Sequence, residues 1–476
     1  MLKQQTLMNK IIKLFSLLIS LFILSIPVFS QGYRIEVKVE GIRDTSIFLA
    51  YHFGEKKLVQ DTLYLDKQGE GVFEDEKKLD AGIYLIALPN MNFFELIVDK
   101  NQEFSVSTDT TDLLKFLKFT GSAQNSIFVE YQRFMAEQQK KSGSLSNRRK
   151  LNKENPDSLE TITEEMKMLD KKVKDYWSKI TGENKGMLIS SLINAMRPPE
   201  PPDFEIPDNI ANKDSMRWIL GYNYNKDHFL DSIDFSDQRL LRTPVLQAKI
   251  DRYFNNVLIQ KPDSVIPEIK KIVNRCRAND KVFQYVVIYL LNNYLQSNIM
   301  GMDEVFVSIA ENYYLSGEAD WVDSTSLVKI RDRVYKIKPN IIGNLSKDLK
   351  METETGEWVS LHQVNAKYIV LYFWETDCGF CKTSTPMLYD IYKKNKDKGL
   401  EVFTVYTQDK KQEWLNYLND KGYNWINAWD PNQSTYFRLF YDVYSTPTVY
   451  LLDENKKIIA KRISVEALGK MLDSLL

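Results

Sequence analysis

Two cysteines three residues apart are the side chains best suited to chemistry in this chain. They lie in Trp374-Glu-Thr-Asp-Cys378-Gly-Phe-Cys381. On a helix, positions i and i+3 share a face, so the two sulfurs can bridge. The free N–H groups and positive dipole at a helix mouth favour an anion. A cysteine there is a candidate thiolate nucleophile. In that arrangement Cys378 attacks and Cys381, one turn inside, resolves the mixed disulfide. A structural zinc site needs about four ligands, whereas the chain has three cysteines and three histidines and no second pair at ligand spacing. Two inert cysteines are the other reading, but inert cysteines have no reason to sit at a strand-to-helix turn.

The surrounding elements follow from pattern. Residues 369–374 are continuously apolar, as suits a strand buried on both faces. Glu375 to Asp377 form a polar loop. Residues 387–398 read as an amphipathic helix, with Leu388, Ile391 and Tyr392 on one stripe and Lys393, Lys394 and Lys396 facing water. Beyond it come a buried strand at 400–407, a helix at 412–421, a short strand at 425–428 and a helix at 434–440. Strands at about 448–452 and 457–463 and a helix at 465–476 close the chain. Segments 344–351 and 358–361 predict an opening hairpin. Such crossovers imply a central sheet with helices on its faces.

The 476 residues predict about three domains. Lysine plus arginine (63) nearly balances aspartate plus glutamate (64), so no strong field draws the chain to nucleic acid or anionic lipid. Residues 1–30 carry Lys3, Lys10 and Lys13, no acid, and an apolar run from Leu14 to Phe29 with Pro27 near its end. They read as a secretory signal cut before Gln31, with an uncleaved membrane tether as the rival. Either places the remainder in the periplasm or cell envelope, where disulfide chemistry is possible. Residues 31–120 contain seven short alternating segments and turn signals such as Gly69-Glu-Gly71, predicting an antiparallel β-sandwich or barrel-like domain. Residues 121–335 predict an all-α domain, with a polar loop at 142–157 and an extended Pro-rich connector from Arg197 to Pro207. Residues 336–476 are the α/β domain. Cys276, His52 and His228 lack partners at functional spacing and read as packing or surface residues.

The pair, followed by Ser445-Thr446-Pro447-Thr448, resembles the thioredoxin fold, and within it the TlpA/ResA-type extracytoplasmic branch. The likeness covers roughly 336–476. It implies a thiol–disulfide oxidoreductase whose only redox group is a Cys378–Cys381 disulfide, with no other cofactor and no metal. It further implies a cis bond before Pro447 and substrate binding at Trp374, Thr446 and Pro447, with Trp374 shielding the disulfide. Partners would be protein thiols or disulfides and a membrane electron donor, with the reducing direction favoured. Two departures stand out: Tyr372 replaces a buried acid of thioredoxins, and Ser384 replaces a glutamate of the ResA-type reductases. The alternatives are a thiol peroxidase, although Glu375 stands where a Thr or Ser is usual, and a non-enzymatic envelope binding or assembly protein. The long segment before the redox domain is expected to select partners.

Overall fold

The computed structural model describes residues 32–476. The expected secretory signal at 1–30 lies outside the described residues. No helix among them is long and apolar enough to cross a membrane. The chain forms two compact units that part between Arg252 and Tyr253, inside the helical stretch.

The first unit opens with eight strands: β1 (Tyr33–Glu40), β2 (Thr45–Phe53), β3 (Lys56–Leu65), β4 (Glu70–Asp75), β5 (Gly82–Ala87), β6 (Phe93–Val98), β7 (Glu103–Asp109) and β8 (Lys118–Thr120). They make two four-stranded sheets, ordered β4-β1-β7-β8 and β3-β2-β5-β6. Strict alternation along β1 sends Ile35, Val37 and Val39 inward, to meet Leu49 and Ile86 of the other sheet. The result is a sandwich core. One pairing departs from the antiparallel expectation: β1 and β7 run parallel. They are the first and seventh strands, so no hairpin turn constrains their direction.

Helices follow: α1 (Ala123–Leu151), α2 (Pro156–Glu183), α3 (Leu188–Met196), α4 (Lys213–His228) and α5 (Val245–Arg252). The loop expected at 142–157 shrinks to the turn between α1 and α2. Leu145 is buried, Phe134 stacks on Tyr176 at 3.9 Å, and Arg148 grips both oxygens of Glu165. Packing of this helical hairpin overrides the weak propensities of Ser142, Gly143 and Ser144. The Pro-rich connector from Arg197 to Pro207 has no regular structure.

The second unit begins with α6 (Pro262–Cys276), α7 (Asp280–Leu295), α8 (Asp303–Ile309) and α9 (Ser324–Ile337). It continues through β9 (Lys350–Thr353), β10 (Trp358–Ser360), β11 (Tyr368–Trp374), α10 (Gly379–Asn395), β12 (Leu400–Tyr406), α11 (Lys411–Lys421), β13 (Ile426–Trp429), α12 (Phe437–Phe440), β14 (Thr448–Asp453), β15 (Ile458–Lys461) and α13 (Val465–Leu475). Its seven strands order as β10-β9-β13-β12-β11-β14-β15, with β12 at the centre and β11 between it and β14. Strand β11 runs parallel to β12 and antiparallel to β14. Its apolar run is continuous because both faces are covered. Val370, Tyr372 and Trp374 enter the core shared with α10, α11 and α13, whereas Ile369, Leu371 and Phe373 enter the opposite one. The expected hairpin forms as β9 and β10. The helix expected at 434–440 shortens to α12, because the Asp430 carboxylate takes the backbone N–H groups of Ser434 and Thr435 and holds that stretch as a turn.

Candidate functional site

Strand β11 ends at Trp374, and α10 begins at Gly379 after a four-residue crossing. Cys378 is the N-cap of α10. Its sulfur accepts the backbone N–H of Cys381 at 3.1 Å, so a side chain usually replaced here by Ser, Thr, Asp or Asn satisfies an orphan donor of the first turn. The same thiol donates to the Thr446 carbonyl at 3.3 Å. Cys378 is partly exposed, whereas Cys381 is 1% exposed and belongs to the core. Both are free thiols in this structure. Burial, reinforced by the neighbouring Cys378 sulfur, pushes the Cys381 thiol up to about 12. The Glu375 backbone and the Thr446 side chain act against that rise.

The pair is thus asymmetric: one sulfur faces solvent at a helix mouth and the other is held beneath it. That suits a nucleophile and a resolving thiol. The Thr446–Pro447 bond is cis, and both residues are partly exposed beside Cys378. Phe380, between the cysteines, is 78% exposed. A groove of about 450 Å³ runs past it, lined also by Ser384, Tyr444, Pro447 and Arg462.

Trp374 requires a correction. Fully buried, it has no surface to offer a substrate. Strand alternation turns it into the same core as Tyr372, where its ring meets Tyr406 at 5.9 Å and Tyr417 at 5.3 Å. It supports the cysteine pair from below.

Tyr372, at the position of the missing acid, is also fully buried, and its hydroxyl pairs with that of Thr385 at 3.0 Å. Burial raises its pKa further above the ordinary tyrosine range, so it is neutral at physiological pH. Glu375 turns to the other side of the sheet end, where it accepts from the Thr407 hydroxyl at 2.7 Å, with Arg438 at 4.0 Å. Gln408 and then Lys410 hold the Asp377 carboxyl below its usual range. Among the described residues no cluster of three or more His, Cys, Asp or Glu side chains could hold a metal ion.

Cys276 and the histidines stand apart from this site. Cys276 ends α6 fully buried, His52 is buried against Glu95 at 3.0 Å, and His228 meets Asp231 at 2.7 Å. Pattern reading missed Asp442 and its two arginines, Arg333 and Arg462. Arg333 is 109 residues from Asp442, and nothing local in the sequence signals such a contact.

Comparison with known proteins bears on the same region. Residues 342–461 match the family described as AhpC/TSA. The C-terminal domain is thioredoxin-like. Residues 169–340 match a family described as a domain of unknown function, DUF5106. The thioredoxin-like domain is similar to the thiol-disulfide oxidoreductase ResA of Bacillus thuringiensis, 28% identical over 108 residues, and to that of Bacillus subtilis, 26% identical over 117. These alignments cover 23% and 25% of this chain. The chain spans 61% and 64% of the length of these curated relatives. Two solved structures are also similar. A thioredoxin-like protein from Bacteroides caccae is 21% identical, with a TM-score of 0.44 over 57% of this chain and 98% of that one. A domain of a possible thiol-disulfide isomerase from Cytophaga hutchinsonii is 39% identical, with a TM-score of 0.27 over 28% of this chain and 92% of that one.

Proposed function

We propose that this chain exchanges disulfides with protein substrates outside the cytoplasm, in the reducing direction. The observation that carries the reading is the asymmetry of the pair: Cys378 caps α10 beside Thr446, and Cys381 is buried behind it. The Cys378 thiolate attacks one sulfur of a substrate disulfide and expels the other as a thiolate, which takes a proton from water. The mixed disulfide lies along Thr446 and Pro447. Cys381 then loses its proton, attacks the Cys378 sulfur and releases the second substrate thiol. Two electrons have passed to the substrate, and the chain holds a Cys378–Cys381 disulfide. An external dithiol, delivered by a membrane electron donor, must reduce it again. No other cofactor enters these steps. The basic, apolar character of residues 1–30 supports export.

Nothing at the site favours the peroxidase alternative, since the Glu375 carboxylate is engaged by Thr407. Trapping tests the proposal. Cys381→Ser should accumulate mixed disulfides at Cys378, identified by mass spectrometry, and Cys378→Ser should abolish them. An absence of adducts on Cys381→Ser, with no disulfide reduction by the parent chain, would remove the enzymatic reading and leave a binding or assembly role. Equilibration against glutathione decides direction: a potential near about −120 mV, as in a strong oxidant, would reverse it.

A further inference from the structure

The segment that carries Thr446 and Pro447 is not held by its own domain alone. Residues 442–447 have no regular secondary structure. Backbone bonds from Asp442 to Leu439 and from Val443 to Arg438 tie the start of the segment, and side-chain bonds hold the rest. The main anchor is Asp442, which is 4% exposed at its side chain and sits at a φ of +49°. Both its oxygens accept from Arg333 Nη1, at 2.9 and 2.8 Å, and Arg462 Nη2 binds one of them as well. Arg462 Nη2 also donates to the Asp442 carbonyl at 2.8 Å. The guanidiniums of Arg462 and Arg333 lie 4.9 and 5.8 Å from the Tyr444 ring centre, and Arg333 Nη2 is 3.4 Å from the Tyr444 hydroxyl.

The two arginines come from different parts of the unit. Arg462 follows β15. Arg333 is on α9, within the segment matching DUF5106 and outside the one matching AhpC/TSA. A second tie runs the same way: the Asn340 side chain donates to the Phe440 carbonyl at 2.5 Å, just before Asp442. Asp442, Tyr444 and Arg462 line the same groove as Phe380 and Pro447. Without Arg333 the buried carboxylate keeps only Arg462, and one of its oxygens loses its cation, so the loop is expected to loosen when Arg333 is removed.

We infer that Arg333 of the helical segment is a positioning residue for disulfide exchange: through Asp442 it holds Tyr444, Thr446 and Pro447 against Cys378. The helical segment is then part of the substrate site. The inference deepens the proposed function and rests on it for its kinetic arm.

The test uses the full chain carrying Arg333→Met, which keeps the apolar stem, and Arg333→Lys, which keeps a charge. Hydrogen exchange by mass spectrometry reports on residues 442–449. Exchange there should quicken about tenfold in Arg333→Met, the equivalent of about 1.4 kcal/mol of lost holding energy, while protection of β11 and β12 is unchanged. Arg333→Lys should fall between, and it carries the comparison if the Met variant does not fold. In kinetics, KM for a disulfide-linked peptide should rise more than kcat falls. The preference for that peptide over a small aromatic disulfide should drop about tenfold. Unchanged protection of 442–449 in both variants overturns the inference. So does faster exchange there with an unaltered peptide preference. If the parent chain reduces neither substrate, the redox reading fails, and the exchange measurement still decides whether Arg333 holds the loop.

Discussion

The three cysteines occupy three different surroundings, and each should react accordingly. Cys378 caps a helix at the surface, Cys381 lies one turn beneath it, and Cys276 closes a helix deep in a core. Alkylating the reduced, native protein with iodoacetamide at pH 8 should therefore give one adduct, at Cys378, and three after denaturation. Intact mass and peptide mapping check this; a native adduct at Cys276 would contradict the burial described. Burial raises the Cys276 thiol to about 12. A thiol kept protonated in this way stabilises the fold fully below its unfolded pKa of roughly 8.5, and that contribution is lost as pH climbs towards about 12. Denaturant titrations at pH 8 and pH 10 should show the parent losing stability over this step. Cys276→Ala should lose roughly 2 kcal/mol less over it, although the variant starts lower because of the cavity it leaves. An equal loss in both proteins would remove the linkage argument.

At the scale of elements, single side chains and turns decide where strands and helices stop. The β3–β4 turn predicted from Gly69-Glu-Gly71 is present, with Gly69 at a φ of +74°. A Cβ there would lie 2.4 Å from the Val39 carbonyl oxygen and 2.7 Å from that of Ile42. Gly69→Ala should cost roughly 2 kcal/mol or more, from left-handed strain and that collision together. A shift in the urea midpoint with an unchanged m-value is the expected signature. Where the pattern misled, the cause was a contact from outside the local window. Packing against α2 carries α1 through a weak stretch, and Asp430 delays α12.

At the scale of the molecule, the chain parts at 252–253 rather than at the edge of the redox domain. Helices α6 to α9 belong with the thioredoxin-like sheet. Lys461 on β15 is buried against Asp303 of α8 and the Asn340 carbonyl, and Asp442 is buried against Arg333 of α9. A fragment spanning 253–476 should therefore fold cooperatively and exchange disulfides. One spanning 336–476 leaves Lys461 and Asp442 short of partners, and should be less stable by roughly 3 kcal/mol or more. Guanidinium titration of the two fragments checks this; equal midpoints would mean these ion pairs contribute nothing net. Partner selection by the β-rich unit is then tested by removing 31–252. Exchange with small disulfides should persist while the set of trapped targets narrows.

The positions of the cysteine pair, the strand before it and the helix after it were legible in the sequence, because each rests on local pattern: an unbroken apolar run, a polar break and a helical stripe. The β-rich region was legible for the same reason, through two-residue alternation and turn residues. Partnerships between distant segments were decided by the tertiary structure alone. Arg333 finds Asp442 across more than a hundred residues, β1 finds β7 in parallel, and Trp374 is buried too completely to meet a substrate. Periodicity tells which side of an element is apolar, but not which other element will cover it. That choice is made by the packing of the whole unit.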